Sequence, residues 1–168
     1  MRNYDEISWH SEERKDYYQK VNNSTQKKVG DAGEQLAIDW FKAHGYSVRL
    51  TTAEEDARLH ADFMVLINDQ WMSVDVKTKT NFIIELQNCW GNPGWIYTGA
   101  DIIFQILHNS DYWGDSIYLY RRSAFVDYIE KNRNIFANKY CKTGEGKSIL
   151  WYLGKKRLQT MEFIKKIA

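Results

Sequence analysis

Two neighbouring stretches of this chain carry carboxylates at a spacing that invites cation chemistry. Asp62–Ile67 and Trp71–Thr78 are apolar, β-branched runs on either side of the polar Asn68-Asp69-Gln70, which reads as a hairpin turn. With Asn68 and Asp69 as the two turn residues, Ile67 faces Gln70 and Asp62 falls directly across from Asp75. Cross-strand Cβ atoms lie roughly 4.5–5.5 Å apart, and like charges there are destabilising. A divalent cation between the two carboxylates removes that repulsion, and hard oxygen ligands suit Mg²⁺, with Mn²⁺ as a substitute. Alternation along the second strand puts Met72, Val74 and Val76 on one face and Asp75 and Lys77 on the other. A cation with a lysine beside it is what phosphodiester hydrolysis needs. The metal polarises the phosphate and lowers the pKa of a bound water, while the lysine orients that water or neutralises the developing charge. The alternative is an ordinary solvated strand of alternating charge, and a shift of one residue in the turn would send the two aspartates to opposite faces.

Glu34 supplies a third carboxylate. It lies on the apolar stripe of a helical run, three residues before Ala37 and seven before Phe41, and glutamate is rarely buried without a partner. Either it reaches the metal site at the sheet edge, or it closes a capping box with Asp31 as N-cap. A helix continuing back toward Ser24 would weaken the second reading.

These side chains need a scaffold. From Ser24 to His44, Val29, Gly33, Leu36, Ala37, Trp40 and Phe41 recur at helical spacing, and Gly45 is a suitable stop. Ser47–Thr52, the two hairpin strands, Asn81–Leu86, Asp101–Leu107 and Asp115–Tyr120 read as strands, and residues 88–94 as a loop. A helix from Ser123, as N-cap, to about Lys139 follows, then a strand at Ile149–Leu153 and a helix from Thr160. Residues 1–22 are polar and acidic, an N-terminal helical arm. Residues 23–168 form one domain with a basic final third. One helix, a run of strands and helices packed around them make an α/β fold of mixed topology.

With the elements in place, the residues resemble a known pattern. Glu34 in the first helix, His60-Ala61-Asp62 opening a strand and Asp75-Val76-Lys77 on the next are similar to the PD-(D/E)XK nuclease superfamily. Its members include restriction endonucleases, Holliday-junction resolvases and phage recombination nucleases. The resemblance runs from about Lys28 to Tyr120, and Ala61 stands where the family often has proline. Phe82-Ile83-Ile84-Glu85 and Gly94–Asp101 also resemble a stretch of small phage-type nucleases. The resemblance implies a restriction-endonuclease-like core, a mixed central sheet flanked by helices in αβββαβ order. It implies that Asp62 and Asp75 bind Mg²⁺ with the backbone carbonyl of Val76, and that Lys77 positions or activates the attacking water. Glu34 is then an accessory ligand or holds a second metal.

Composition and charge agree with a nuclease. In 168 residues the apolar fraction is 43%, enough for a core, and proline occurs once, which excludes a disordered or collagen-like chain. No apolar run approaches the ~20 residues of a membrane span, and two cysteines make no disulfide framework; a reducing, cytoplasmic setting is expected. From Arg121 onward there are twelve Lys and Arg against four Asp and Glu, with eleven against eighteen before it. An acidic part for the cation and a basic part for a polyanion follow. Lys79, Arg121, Arg122, Lys155, Lys156 and Arg157 are the candidate DNA contacts, though such residues also simply solvate helix ends. Trp90, Trp95 and Tyr97 could stack on bases or close the core beneath their loop. Asp101 is expected to hydrogen-bond the loop backbone. Gly144–Ser148 lacks the glycine spacing of a phosphate loop, so no nucleotide cofactor is expected. The expected function is a Mg²⁺-dependent deoxyribonuclease acting on duplex or branched DNA, with a homodimer favoured if both strands are cut. The rivals are a non-catalytic nucleic-acid-binding protein of the same fold and an RNA-processing nuclease.

Overall fold

The computed structural model describes residues 25–108, 115–136, 141–142 and 148–168. The expected N-terminal arm lies outside the described residues. The chain runs α1 (Thr25–Ala43), β1 (Val48–Leu50), α2 (Ala53–Leu59), β2 (Phe63–Ile67), β3 (Gln70–Lys79), β4 (Ile83–Gln87), α3 (Trp95–Thr98) and β5 (Ile102–Leu107). It continues through β6 (Ser116–Arg121), α4 (Arg122–Lys131), α5 (Arg133–Phe136), β7 (Cys141–Lys142), β8 (Ile149–Tyr152), α6 (Lys155–Leu158) and β9 (Lys165–Lys166). Six strands form the central sheet in the order β1-β2-β3-β5-β6-β9, and β4-β8-β7 form a second, smaller one. All neighbours in the central sheet are antiparallel except β3 and β5. A mixed α/β fold with helices flanking a central sheet is therefore what forms, as the pattern predicts. The second sheet was not legible.

Both faces of the central sheet are covered, which is why β5 is buried along all six residues. On one face Ala37 and Phe41 of α1 pack against Phe63, Val65, Val74 and Phe104. On the other, Ile103, Leu107 and Tyr120 meet Phe82 and Ile84 of the crossover, Phe125 of α4 and Trp151 of β8. Gln105 joins the sheets: its amide donates to the Ile83 carbonyl at 3.3 Å, and its oxygen accepts the Tyr120 hydroxyl at 2.8 Å.

The hairpin forms as its sequence dictates. Asn68 and Asp69 both sit in the left-handed region, at φ 50° and 61°, the type I′ geometry that matches strand twist and that Asn and Asp tolerate. Ile67 consequently pairs with Gln70 and Phe63 with Val74. Helix α1 reaches back to Thr25 and Gly45 ends it at φ 83°. Asp31 is thus interior to the helix, and the capping-box reading of Glu34 fails.

Three expectations are corrected. A short helix, α2, occupies residues to which no element was assigned; Thr52 and Glu55 form a reciprocal capping box at its start, so the signal was the T-x-x-E spacing itself. The helix expected from Ser123 to Lys139 begins at Arg122, with Arg121 as its uncapped N-cap residue, and breaks at Asn132. The Asn132 side chain donates to the Tyr128 carbonyl at 2.8 Å, in competition with helix continuation. The helix expected from Thr160 does not form: a single turn, α6, precedes that residue, and the stretch after it turns into β9, which pairs Lys166 with Tyr118 and Lys165 with Leu119 at the edge of β6.

Candidate metal centre

Asp62 stands one residue ahead of β2, and its backbone N–H donates to the Val74 carbonyl at 2.8 Å. Val74 is the partner of Phe63, so the regular ladder ends there, and Asp62 is the first residue beyond it, its carboxyl hydrogen-bonded to that of Asp75. Its carboxylate Oδ2 accepts the Val76 N–H at 2.6 Å, so the side chain lies over the β3 backbone beside Asp75. Lys77 Nζ lies 2.8 Å from Asp75 Oδ1. Asp75 is only 4% exposed, because the second core and the α3 turn cover this face.

Burial drives the electrostatics. It pushes the Asp62 carboxyl up to about 7, with the Asp75 charge adding to the rise and the Val76 N–H opposing it. Burial also raises Asp75, against the pull of the Lys77 ammonium and of His60. Glu34 is raised by burial, then by Asp31 and Asp75. Three carboxyl groups, each made harder to ionise by burial, with the Asp75 charge adding to the rise of the other two, form a site deficient in positive charge.

Glu34 arrives there by backbone packing. A Cβ on Gly33 would fall 2.3 Å from Thr78 Oγ1 and 3.2 Å from Ile106 Cδ1, so α1 lies against β3 at a distance that only glycine allows. The next residue is Glu34.

Other residues meet the same region. Glu85 comes from the second sheet, its Oε1 accepting the Trp95 N–H at 3.3 Å. The Lys77 ammonium lies 5.5 Å from the centre of the Trp95 ring, a cation–π contact that holds the amine toward Asp75. Lys79 is exposed, and desolvation, followed by the Lys77 charge, lowers its pKa. His60 caps α2 in a left-handed conformation at φ 48°, unusual for a residue with a Cβ. Sequence reading left Glu85 unplaced, since its strand pairs with β8 and not with β3.

The remaining candidates are dispersed. Arg122 donates to the carbonyls of Ala100 at 2.9 Å, Tyr97 at 3.3 Å and Ile96 at 3.4 Å; instead of facing DNA, its guanidinium braces α3. Arg121 is exposed at the end of β6, beside a cavity it shares with Trp40 and Lys165 on the α1 face. Lys155 lines a different cavity with Tyr118 and Lys166, Lys156 is exposed, and Arg157 Nε and Nη2 are buried with no partner among the described residues. Of the expected DNA contacts, only Lys79 shares a cleft with Lys77. Asp101 binds Ser73 rather than its own loop, accepting the Ser73 N–H at 3.0 Å and hydroxyl at 2.8 Å. Trp90 is 48% exposed, whereas Trp95 and Tyr97 pack against the core.

Among the described residues no group of three or more His, Cys, Asp or Glu side chains is placed to hold a metal ion. The donor set nonetheless fits one kind of ion. Asp62, Asp75 and Glu34 offer carboxylate oxygens only, their burial disfavours the bare anions, and Lys77 neutralises one charge of three. Oxygen-only donors suit a hard divalent cation and not a thiolate- or imidazole-seeking one.

No protein-family model matches the sequence, and no curated protein matches it. Among solved structures the chain is similar to a bacterial homing endonuclease, I-Ssp6803I, with a TM-score of 0.49 and 15% identity over 79% of this chain and 80% of that one. At that distance the likeness assigns neither family nor activity. No helix among the described residues is long and apolar enough to cross a membrane.

Proposed function

We propose that this protein is a divalent-metal-dependent deoxyribonuclease of the PD-(D/E)XK type that cuts DNA internally. The observation that supports the reading best is the meeting of three side chains beside β3: Asp62 accepts the Val76 N–H, its carboxyl lies against that of Asp75, and the Lys77 ammonium pairs with Asp75. Asp62, Asp75 and the Val76 carbonyl would hold Mg²⁺, with Glu34 as accessory ligand. When bound, the ion polarises the phosphodiester and makes a water easier to deprotonate. The chain's own groups do the rest. Lys77, fixed between Asp75 and Trp95, donates to the attacking water or to the phosphate and offsets charge as it develops. Lys79 contacts the phosphate backbone nearby. Carboxylates that resist ionisation when bare become ligands once the cation enters, so metal binding releases protons.

Incubation with supercoiled, linear and branched DNA, with and without Mg²⁺, tests the proposal. Asp75→Asn is expected to reduce cleavage by on the order of 10³-fold, and undiminished cutting by that variant would sink it. A non-catalytic DNA-binding protein of this fold would instead show salt-sensitive binding without nicking. Matched RNA substrates separate the RNA-processing reading.

A further inference from the structure

The face of β3 that carries Asp75 and Lys77 continues to Lys79, and the second sheet closes beside it. A cleft of about 350 Å³ lies there, lined by Lys77, Lys79, Glu85, Trp95, Ser148 and Leu150 among others. Exposed Lys79 marks its rim, and buried Ser148 its depth. The volume sits at the low end of small-molecule sites, with room for one base and its sugar and none for a duplex.

Its chemistry is divided in a telling way. Two ammonium groups follow one another on β3, a surface for a phosphate. Across from them Glu85 commits one oxygen to the Trp95 N–H, and among the described residues its other oxygen has no hydrogen-bond partner. A carboxylate can accept a bond from an exocyclic amino group, as on cytosine N4, and thymine has no such group. Trp95 is covered by the Lys77 ammonium and packed on the core, so it serves as a wall, and Leu150 of β8 is an apolar neighbour.

Resting on the nuclease reading, we propose that this cleft takes one unstacked nucleotide of the DNA strand flanking the scissile phosphate, its phosphate on Lys79 and an amino-bearing base edge on Glu85. A paired base cannot enter, so the enzyme prefers single-stranded, frayed or branched DNA to an intact duplex. The preference is built by Glu85, Lys79 and Ser148, none of which the hydrolytic step requires.

Fluorescence anisotropy in EDTA measures it without cleavage, using short labelled oligo-dC, oligo-dT and a blunt duplex of equal length. Wild-type protein is expected to bind oligo-dC about tenfold more tightly than oligo-dT or the duplex. Lys79→Ala, an exposed position that leaves the fold intact, should weaken both single strands several-fold. In Glu85→Gln the amide oxygen is taken by the Trp95 N–H and the NH₂ group faces the cleft, so the preference should move toward oligo-dT. A duplex bound as tightly as oligo-dC, or a base preference unmoved by Glu85→Gln, overturns the proposal. The two readings fail separately. An inert protein that still ranks the strands this way loses only the nuclease assignment, and an active nuclease indifferent to strand state loses only the cleft.

Discussion

At the scale of single residues, Asp62 sets the pH response of the metal-free protein. Its folded pKa of about 7 stands above the ordinary 3.8. Between those values the folded chain keeps a proton that the unfolded chain has lost. The group's contribution is therefore full below pH ~4 and is lost as pH rises through about 7, by at most ~4 kcal/mol. Asp75 and Glu34 are shifted in the same direction. Urea unfolding in EDTA should thus show lower stability at pH 8 than at pH 5. Asp62→Asn should flatten that slope, and Mg²⁺ should restore stability mainly at pH 8. A midpoint that rises from pH 5 to pH 8 in EDTA would contradict the buried-carboxylate account. Glu55 behaves oppositely: its Arg49 partner and the Thr52 N–H hold it down at about 2, so its contribution is full above its ordinary value of 4.5 and is lost as pH falls from there through about 2. Turn chemistry makes the register legible as far as Phe63 and Val74, and alternation puts Asp75 and Lys77 on one face, whereas Asp62 meets Asp75 through a step ahead of β2 that periodicity does not register. Glu85 was not legible, because only tertiary folding of a second sheet brings it near.

Among the elements, the contact between α1 and β3 makes a prediction whose sign depends on background. Alanine in a helix interior is favoured over glycine by ~1 kcal/mol, yet a Cβ at Gly33 would strike Thr78 Oγ1. That hydroxyl is itself buried without a hydrogen-bond partner. Gly33→Ala alone should therefore destabilise by ~1–3 kcal/mol and, by displacing Glu34, slow cleavage. In a Thr78→Ala background the same substitution should be neutral or stabilising, as thermal melts of the four-member cycle would show; additive effects would refute the steric account. Helix boundaries were the least legible part of the sequence. Helix α4 ends where Asn132 turns on its own backbone, and the tail from Thr160 yields its helical potential to the unpaired edge of β6. Both outcomes are decided by partners distant in sequence or by side-chain geometry that hydrophobic periodicity does not register.

Across the whole molecule, Gln105 is a polar link between the two sheets. Gln105 is fully buried and spans from Ile83 to Tyr120. Gln105→Leu would strand the Tyr120 hydroxyl and the Ile83 carbonyl, a loss of ~1–3 kcal/mol. Adding Tyr120→Phe should recover part of it. Hydrogen exchange should locate the loosening in β4 and β8, and a change confined to β5 and β6 would show that the bridge does not couple the sheets. Mixed α/β architecture was readable from the order of helical and alternating runs. The separate three-stranded sheet was not, since β4 carries the same β-branched, apolar signature as the strands of the main sheet and differs only in its partner. The basic final third likewise had the right composition without the expected location, because Arg122 serves the fold and the others lie on separate surfaces.

The type I′ turn at Asn68-Asp69 acts as a ruler. Phe63 and Val74 form the fifth and last pair counted from it, and Asp62 and Asp75 are the residues just beyond, so their meeting depends on loop length. Surface loops ordinarily accept an extra residue at little thermodynamic cost. Here one glycine inserted between Asn68 and Asp69 could be absorbed as a local bulge, leaving the pair intact, or could slip the strands by one. In the second case spectroscopy would register an ordinary folded protein while hydrolysis vanished, a lesion of geometry with every side chain still present.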